Sequence, residues 1–418
     1  MGHDTRRSRP TVRAPGFGPA LALAVLLPVA AGGWSARALY HERFLFAGDR
    51  GHVHASSVIE TPGGQLLAVW YENGTPRPQT FFRGGDEDKR DDVRIAGARL
   101  AHGSTAWGDP FVISDTFGVS DNNPTLAIDA AKRLWLLHAT LLAVPERAWD
   151  SAILWYKIAS EFEGSGAPRW DHERLLVVQP NGLYEEVARV AEHLTRHAGR
   201  ERRGDVQRAA ALLDRLKDPF ARRLGWMPRT HPLLLPDGTL LVPLANENFN
   251  LSAMALTRDG GESWQMSRMV PGLGVTQPSV VRLQDGRLLA FFRDASDDRR
   301  IKRSTSEDGG LTWSPVESTD LPNPGGGIEA LVLRSGRLLL IYNDKESSPR
   351  DRLAVSLSAD EGRTWRWTRH LEDRPGERFD YPSVIQSRDG TLHATYSYNL
   401  KTIKHVQFDE AWVQQEAP

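Results

Sequence analysis

Apolar residues in this chain come in short blocks, paired around tight polar turns. In Thr276–Arg293, TQPSVVRLQDGRLLAFFR, the block SVVRL leads into Asp285-Gly286, and RLLAFF leads away to an arginine. An Asp-Gly step supplies the positive φ that a two-residue hairpin turn needs. The stretch therefore predicts a β-hairpin whose strands are apolar enough to be buried on both faces. The pattern occurs at Glu60–Trp70, Ile128–His138, Leu234–Leu244, Arg282–Phe292, Val332–Tyr342 and Gln386–Tyr396, six copies in all. Turn glycines Gly238, Gly286, Gly336 and Gly390 lie 48, 50 and 54 residues apart. That period belongs to repeat architectures of blade length.

A second motif sits between the hairpins: TRDGGESW (Thr257–Trp264), SEDGGLTW (Ser306–Trp313) and SADEGRTW (Ser358–Trp365), with worn copies ending at Trp107 and Trp170. It predicts a tight turn. The Asp carboxylate accepts local backbone N–H groups, Gly takes positive φ, and Trp packs between neighbouring sheets. The role is structural.

These motifs resemble the Asp-box, or BNR, repeats of the sialidase (neuraminidase) superfamily, in the style of bacterial sialidase-like proteins. The resemblance covers roughly 51–408. It implies an all-β fold: a six-bladed β-propeller over 39–418, one four-stranded blade per hairpin.

The period breaks once. Within Gly182–Leu224, Leu183, Val187, Val190, Ala191 and Leu194 recur at helical spacing, and a similar stretch follows from Asp205. This predicts a helical insertion between blades two and three, read as an autonomous lid or docking element with a solvated arginine face.

Composition narrows the function. The absence of Cys excludes disulfides, thiolate metal sites and a Cys nucleophile, and a net charge of −1 gives no reason to expect a nucleic-acid partner. No His pair has metal spacing and no phosphate loop is visible, so neither metal nor cofactor is expected. At the N-terminus, Arg6, Arg7, Arg9 and Arg13 precede the apolar run Ala20–Ala31. Residues 1–38 read as a signal peptide or membrane anchor, which predicts an exported protein: periplasmic, extracellular or membrane-anchored.

The resemblance also implies a site. In sialidases three arginines hold the sugar carboxylate, a Tyr primed by a Glu is the nucleophile, and a loop Asp is the acid/base. Guanidinium forks suit carboxylates in shape and charge. Arg293, closing the fourth hairpin, matches one carboxylate arginine. Arg350 matches another, with Arg352 as alternate. Tyr381, in FDYPSVIQSRDG, matches the nucleophile. His54 stands where the first arginine belongs, and Gln277 where the Glu belongs. The loop after the first hairpin offers Asp86, Glu87, Asp88, Asp91 and Asp92, with Asp88 and Asp92 preferred as acid/base. Asn123, Arg229 and His231 also precede hairpins. His54, Asn123, His231, Gln277 and Tyr381 are expected to converge near the axis, and Glu247 is a reserve acid/base beside the position equivalent to Arg293.

The implied function is a sialidase-like exo-glycoside hydrolase acting on a terminal acidic sugar of a glycan. The loss of the Glu and the gain of a His leave two alternatives. One is a uronate lyase running β-elimination through His, Tyr and Arg, as propeller-shaped polysaccharide lyases do. The other is a non-catalytic glycan-binding propeller.

Overall fold

Each predicted hairpin is present as the inner two strands of an antiparallel sheet. In the computed structural model, which describes residues 1–2, 38–75, 87–142, 148–196 and 203–415, the chain divides into Met1–Arg37 and Ala38–Pro418. The signal-or-anchor segment lies outside the described residues. Among those described, no helix is long and apolar enough to cross a membrane.

Ala38–Pro418 is a six-bladed β-propeller. Blade one is Val53–Glu60, Leu66–Asn73, Val93–Leu100 and Phe111–Ser114; blade two begins with Val119–Ile128 and Leu134–Leu142. Blade four is Val275–Arg282, Leu288–Asp294, Arg300–Ser306 and Glu317–Pro322, and blade five begins at Glu329–Val332. Blade six is Phe379–Gln386, Leu392–Tyr398 and Thr402–Phe408. Its outer strand comes from the other end of the chain: Tyr40–Phe44 pairs antiparallel with Thr402–Phe408, Tyr40 opposite Phe408. This closes the ring. The segment YHERF carries no motif, so the closure is not legible in sequence.

In blade three the inner strand is split into Trp226–Met227 and Leu233–Leu234. Pro228 and Pro232 flank the gap, and proline cannot donate to a ladder.

The apolar blocks are buried on both faces because every blade is covered by two neighbours. One hydrophobic cluster lies at each of the six interfaces between blades. Trp313 and Trp365 of the Asp-box motifs pack in or against two of these clusters, and Trp264 against a third.

The helical insertion is real: α1, Leu183–Arg196; α2, Arg203–Arg215; α3, Pro219–Arg223. It is not autonomous. The five periodic residues of α1 are buried in one cluster with Trp135 and Tyr156 of blade two and Trp226 and Phe249 of blade three. Glu186 of α1 also accepts the Gly272 N–H at 2.9 Å. The helices complete the core between two blades.

Candidate active site

Register places the two ends of a blade. Leu288 pairs with Ser306, which opens an Asp-box, and Thr276 pairs with Arg293 at the far end of the same sheet. The Asp-boxes therefore lie at one end of the propeller, and Arg293 and the starts of the inner strands at the other.

At that second end the inner strands share a device. Between His54 and Ser57, Asn122 and Thr125, Thr276 and Ser279, and Asp380 and Ser383 the pairing slips by a bulge. Each bulge holds a non-glycine residue in the left-handed region: Ala55 (φ 54), Asn123 (φ 48), Gln277 (φ 49) and Tyr381 (φ 50). A bulge re-aims a side chain, and such backbone costs on the order of 1–3 kcal/mol per residue. The register corrects one expectation. In blade one it is Ala55 that occupies the place of Tyr381, and His54 occupies that of Asp380.

Tyr381 is the centre. Arg293 donates from Nη1 to its phenol oxygen at 3.2 Å, and Gln277 Nε2 reaches it at 3.5 Å. The His54 ring lies edge-on, 4.5 Å between centroids, and the Arg229 guanidinium lies 4.7 Å from the ring centroid. Gly327 makes room, since a Cβ there would fall 2.6 Å from Tyr381 Cδ1. Arg293 Nε and Gln277 Oε1 are buried without partners, and no described carboxylate forms an ion pair with Arg293.

Arg350 is held differently. Its Nη1 donates to Asp380 Oδ1 at 2.7 Å and its Nη2 to Gly325 O at 2.6 Å. Asp380 is fully buried, and Arg378 pairs with its other oxygen. Burial opposes the charge of Asp380, but His54, Arg350 and Arg378 outweigh it and hold the carboxyl at about 2. Asp380 thus supplies Arg350 with an internal counter-ion. Arg352 points elsewhere, paired with Asp373 at 3.2 Å.

The remaining candidates separate. His54 is buried, which pushes its imidazole well below the usual range, and its Nδ1 lies 3.0 Å from Ser397 Oγ. Arg229 is buried with both Nη groups on carbonyls, Ser56 O at 3.2 Å and Pro382 O at 3.1 Å, so it packs under Tyr381 from within the protein. His231 also lies inside: Nδ1 meets Glu329 at 2.9 Å and Nε2 meets Val58 O at 2.9 Å. Burial opposes the His231 charge, yet Glu329 raises its pKa. Asn123 shares the bulge position, but its amide reaches Met227 Sδ at 2.9 Å. Glu247 lies two residues past Ala245, which pairs with Met227. Burial pushes its carboxyl up, while the Arg293 charge pulls it down.

Of the loop acids, Asp86 lies outside the described residues. Asp92 is buried and bound by Asn73 at 3.1 Å and Arg90 at 3.3 Å, an anchor for the loop base. Asp88 is half-buried in different company, its charge acting on His52 and Tyr71.

Three contributors were not singled out from the sequence. Tyr71 packs with Ala55, Val93 and Tyr381, and burial raises its phenol well above the usual range. Asp380 and Gly327 are the others. The run Gly325–Gly327 ahead of the fifth hairpin was a usable signal, because three adjacent glycines mark a close approach.

The comparisons agree with this architecture. Residues 214–394 match the family model described as a BNR repeat-like domain. A sialidase of Micromonospora viridifaciens is 28% identical over 166 residues, 37% of this chain and 25% of that protein. A sialidase of Clostridium perfringens is 27% identical over 159 residues, 34% of this chain and 41% of that protein. Among solved structures, a sialidase from Streptococcus pneumoniae aligns with a TM-score of 0.63 at 12% identity, covering 89% of this chain and 71% of that one.

The chain is similar to BNR-repeat proteins over 214–394 and has the fold of the sialidases.

An intramolecular trans-sialidase from Ruminococcus gnavus shares the fold with a TM-score of 0.63 at 12% identity, covering 90% of this chain and 98% of that one. A Dyadobacter fermentans protein of unknown function aligns at 0.64 with 15% identity, covering 88% and 99%. The chain spans about a quarter to two fifths of the length of the curated sialidases it matches.

Proposed function

We propose that this protein is a sialidase-like glycoside hydrolase that removes a terminal carboxylate-bearing sugar from a glycan. The observation that carries the reading is the Arg293 guanidinium, without a described carboxylate partner, 3.2 Å from the Tyr381 phenol oxygen. An acidic sugar brings the missing carboxylate to Arg293. Arg350, already neutralised by Asp380, supplies orientation more than net charge. Tyr381 attacks the anomeric carbon as the glycosidic bond breaks, and the leaving oxygen takes a proton from a loop acid, for which Asp88 is the candidate. Water then releases the sugar from the phenol. Gln277 cannot take the phenolic proton. Glu247, with its raised carboxyl in the field of Arg293, is the proposed acceptor.

Gln277 also favours a second reading. Both described polar groups reaching the Tyr381 oxygen are donors, and β-elimination on a uronate needs no Glu: the arginine neutralises the carboxylate while His54 or Tyr381 takes the α-proton. One screen separates these. Sialosides, glucuronides and acidic polysaccharides are incubated with the protein while reducing ends and ultraviolet absorbance are followed. The hydrolase yields saturated sugar, and the lyase yields an absorbing unsaturated product. Saturable binding with neither product would leave a glycan-binding propeller and overturn both.

A further inference from the structure

A cavity of about 740 Å³ lies between the helical insertion and blade four. It is within the range of small-molecule and saccharide pockets. Its rim starts two residues from Arg293, at Ala295, whose N–H extends the inner ladder by bonding Gly274 O at 2.8 Å. From there its lining runs outward through Lys302 on the third strand to Ser318 on the fourth, with α1 and α2 as the facing wall.

The Arg and Lys groups of this groove are already paired. Arg189 pairs with Glu186 at 2.5 Å, Arg215 with Asp150 at 3.7 Å and Lys302 with Asp294 at 3.3 Å. Arg208 of α2 pairs with Asp205 and reaches across to Asp297 of blade four at 3.1 Å. Arg293, next door, lacks such a partner among the described residues. A second anionic sugar in the groove would meet no free cation. A neutral polyhydroxyl chain would meet carboxylates, guanidiniums and amides able to exchange hydrogen bonds, alternating with apolar surface from Leu212, Leu273 and Val316 for its C–H faces.

We propose that this groove is the subsite for the neutral glycan attached to the terminal acidic sugar, with the insertion as one wall. It rests on the reading of Arg293 and Tyr381 as the site for that terminal sugar. The wall is built, not loose, because α1 is part of the core between blades two and three. Only the Arg208–Asp297 contact spans the groove as an exposed ion pair, and exposed pairs contribute little, so a ligand can displace it.

The test fills the groove from either wall. Ala211 on α2 and Ser318 on blade four are both exposed lining residues, so Ala211→Trp and Ser318→Trp add bulk without disturbing the core. Two substrates carry the same terminal acidic sugar, one on an aryl group and one on a neutral trisaccharide. The ratio of kcat/KM, extended over aryl, should fall at least tenfold in either variant. An unchanged ratio in both overturns the proposal. A second arm does not depend on turnover: calorimetric titration of Tyr381→Phe protein with lactose, cellotetraose and maltotetraose. Saturable binding of any of these, lost on adding Ala211→Trp, supports the subsite even if no substrate is cleaved and the hydrolase reading fails. Where no substrate is cleaved, absence of binding overturns it.

Discussion

The two ends of a blade solve opposite problems with the same strands. At the Asp-box end each acid is satisfied within its own turn: Asp308 accepts Thr312 N at 2.9 Å and Thr312 Oγ1 at 2.6 Å, and Asp360 repeats this with Thr364 at 2.8 and 2.7 Å. The Thr364 backbone N–H, followed by neighbouring hydroxyls, holds Asp360 at about 2 despite the opposing effect of burial. At the other end the backbone is strained at Ala55, Asn123, Gln277 and Tyr381, polar atoms of Asn123, Gln277 and Arg293 lack partners, and each contact to Tyr381 comes from another blade. The carboxylates of one end are closed on their own turns, although the buried Trp264 and Trp365 indole N–H groups there also lack partners. The other end holds its unspent hydrogen-bonding capacity beside Tyr381, where a ligand can use it.

The sharpest way to test that contrast is Tyr381→Phe. It removes the phenol oxygen that Arg293 and Gln277 approach, so turnover should fall by about a hundredfold or more while affinity and Tm stay near the original. A matching loss of Tm would make Tyr381 a packing residue and erase the difference between the ends. Gly327→Ala comes next. The added Cβ must push the Tyr381 ring aside, and a misplacement of about 1 Å can cost up to about a hundredfold. Full activity in this variant would show that the ring position is not critical. Arg293→Lys keeps the charge and loses the fork, so affinity for an acidic sugar should drop about tenfold. Tm should barely move, because the guanidinium has little to hold within the protein.

Acid should strike histidines near both ends. Burial holds His54 well below the usual imidazole range, and it holds His393, stacked on His405, at about 4. A depressed folded pKa means stability that is present above about pH 6.5 and lost as the pH falls through the window below it, where only the unfolded chain gains protons. Each such group contributes a slope of up to about 1.4 kcal/mol per pH unit. His231 runs the other way, since Glu329 raises its pKa; its contribution is present at low pH and lost as pH rises. Melting followed from pH 8 to 4 should show a net fall on the acid side, shallower in His393→Asn. A steeper fall in that variant would contradict the assignment. The smallest effect belongs to Asp308→Ala, which opens one turn at the solvent-exposed end: about 1 kcal/mol, or roughly 1–2 °C, with activity retained. Lost activity there would mean that the two ends are coupled.

The repeat, its period and the Asp-boxes were determined by the sequence alone, because each is local. A turn at Asp285-Gly286 or Asp308-Gly309 needs only its own residues, and six similar blocks buried on both faces fit a ring of sheets. The helical spacing from Leu183 to Leu194 was equally plain, but not its destination, since periodicity gives a face and does not name the partner that covers it. Only the tertiary structure decided that this face completes the core with Trp135 and Trp226, that Tyr40–Phe44 closes blade six, and that Arg350 is neutralised by Asp380. It also decided the one-residue bulges that put Ala55, and not His54, level with Tyr381. Such slips depend on pairing across strands, and in a sheet a shift of one residue changes which side chain faces the axis.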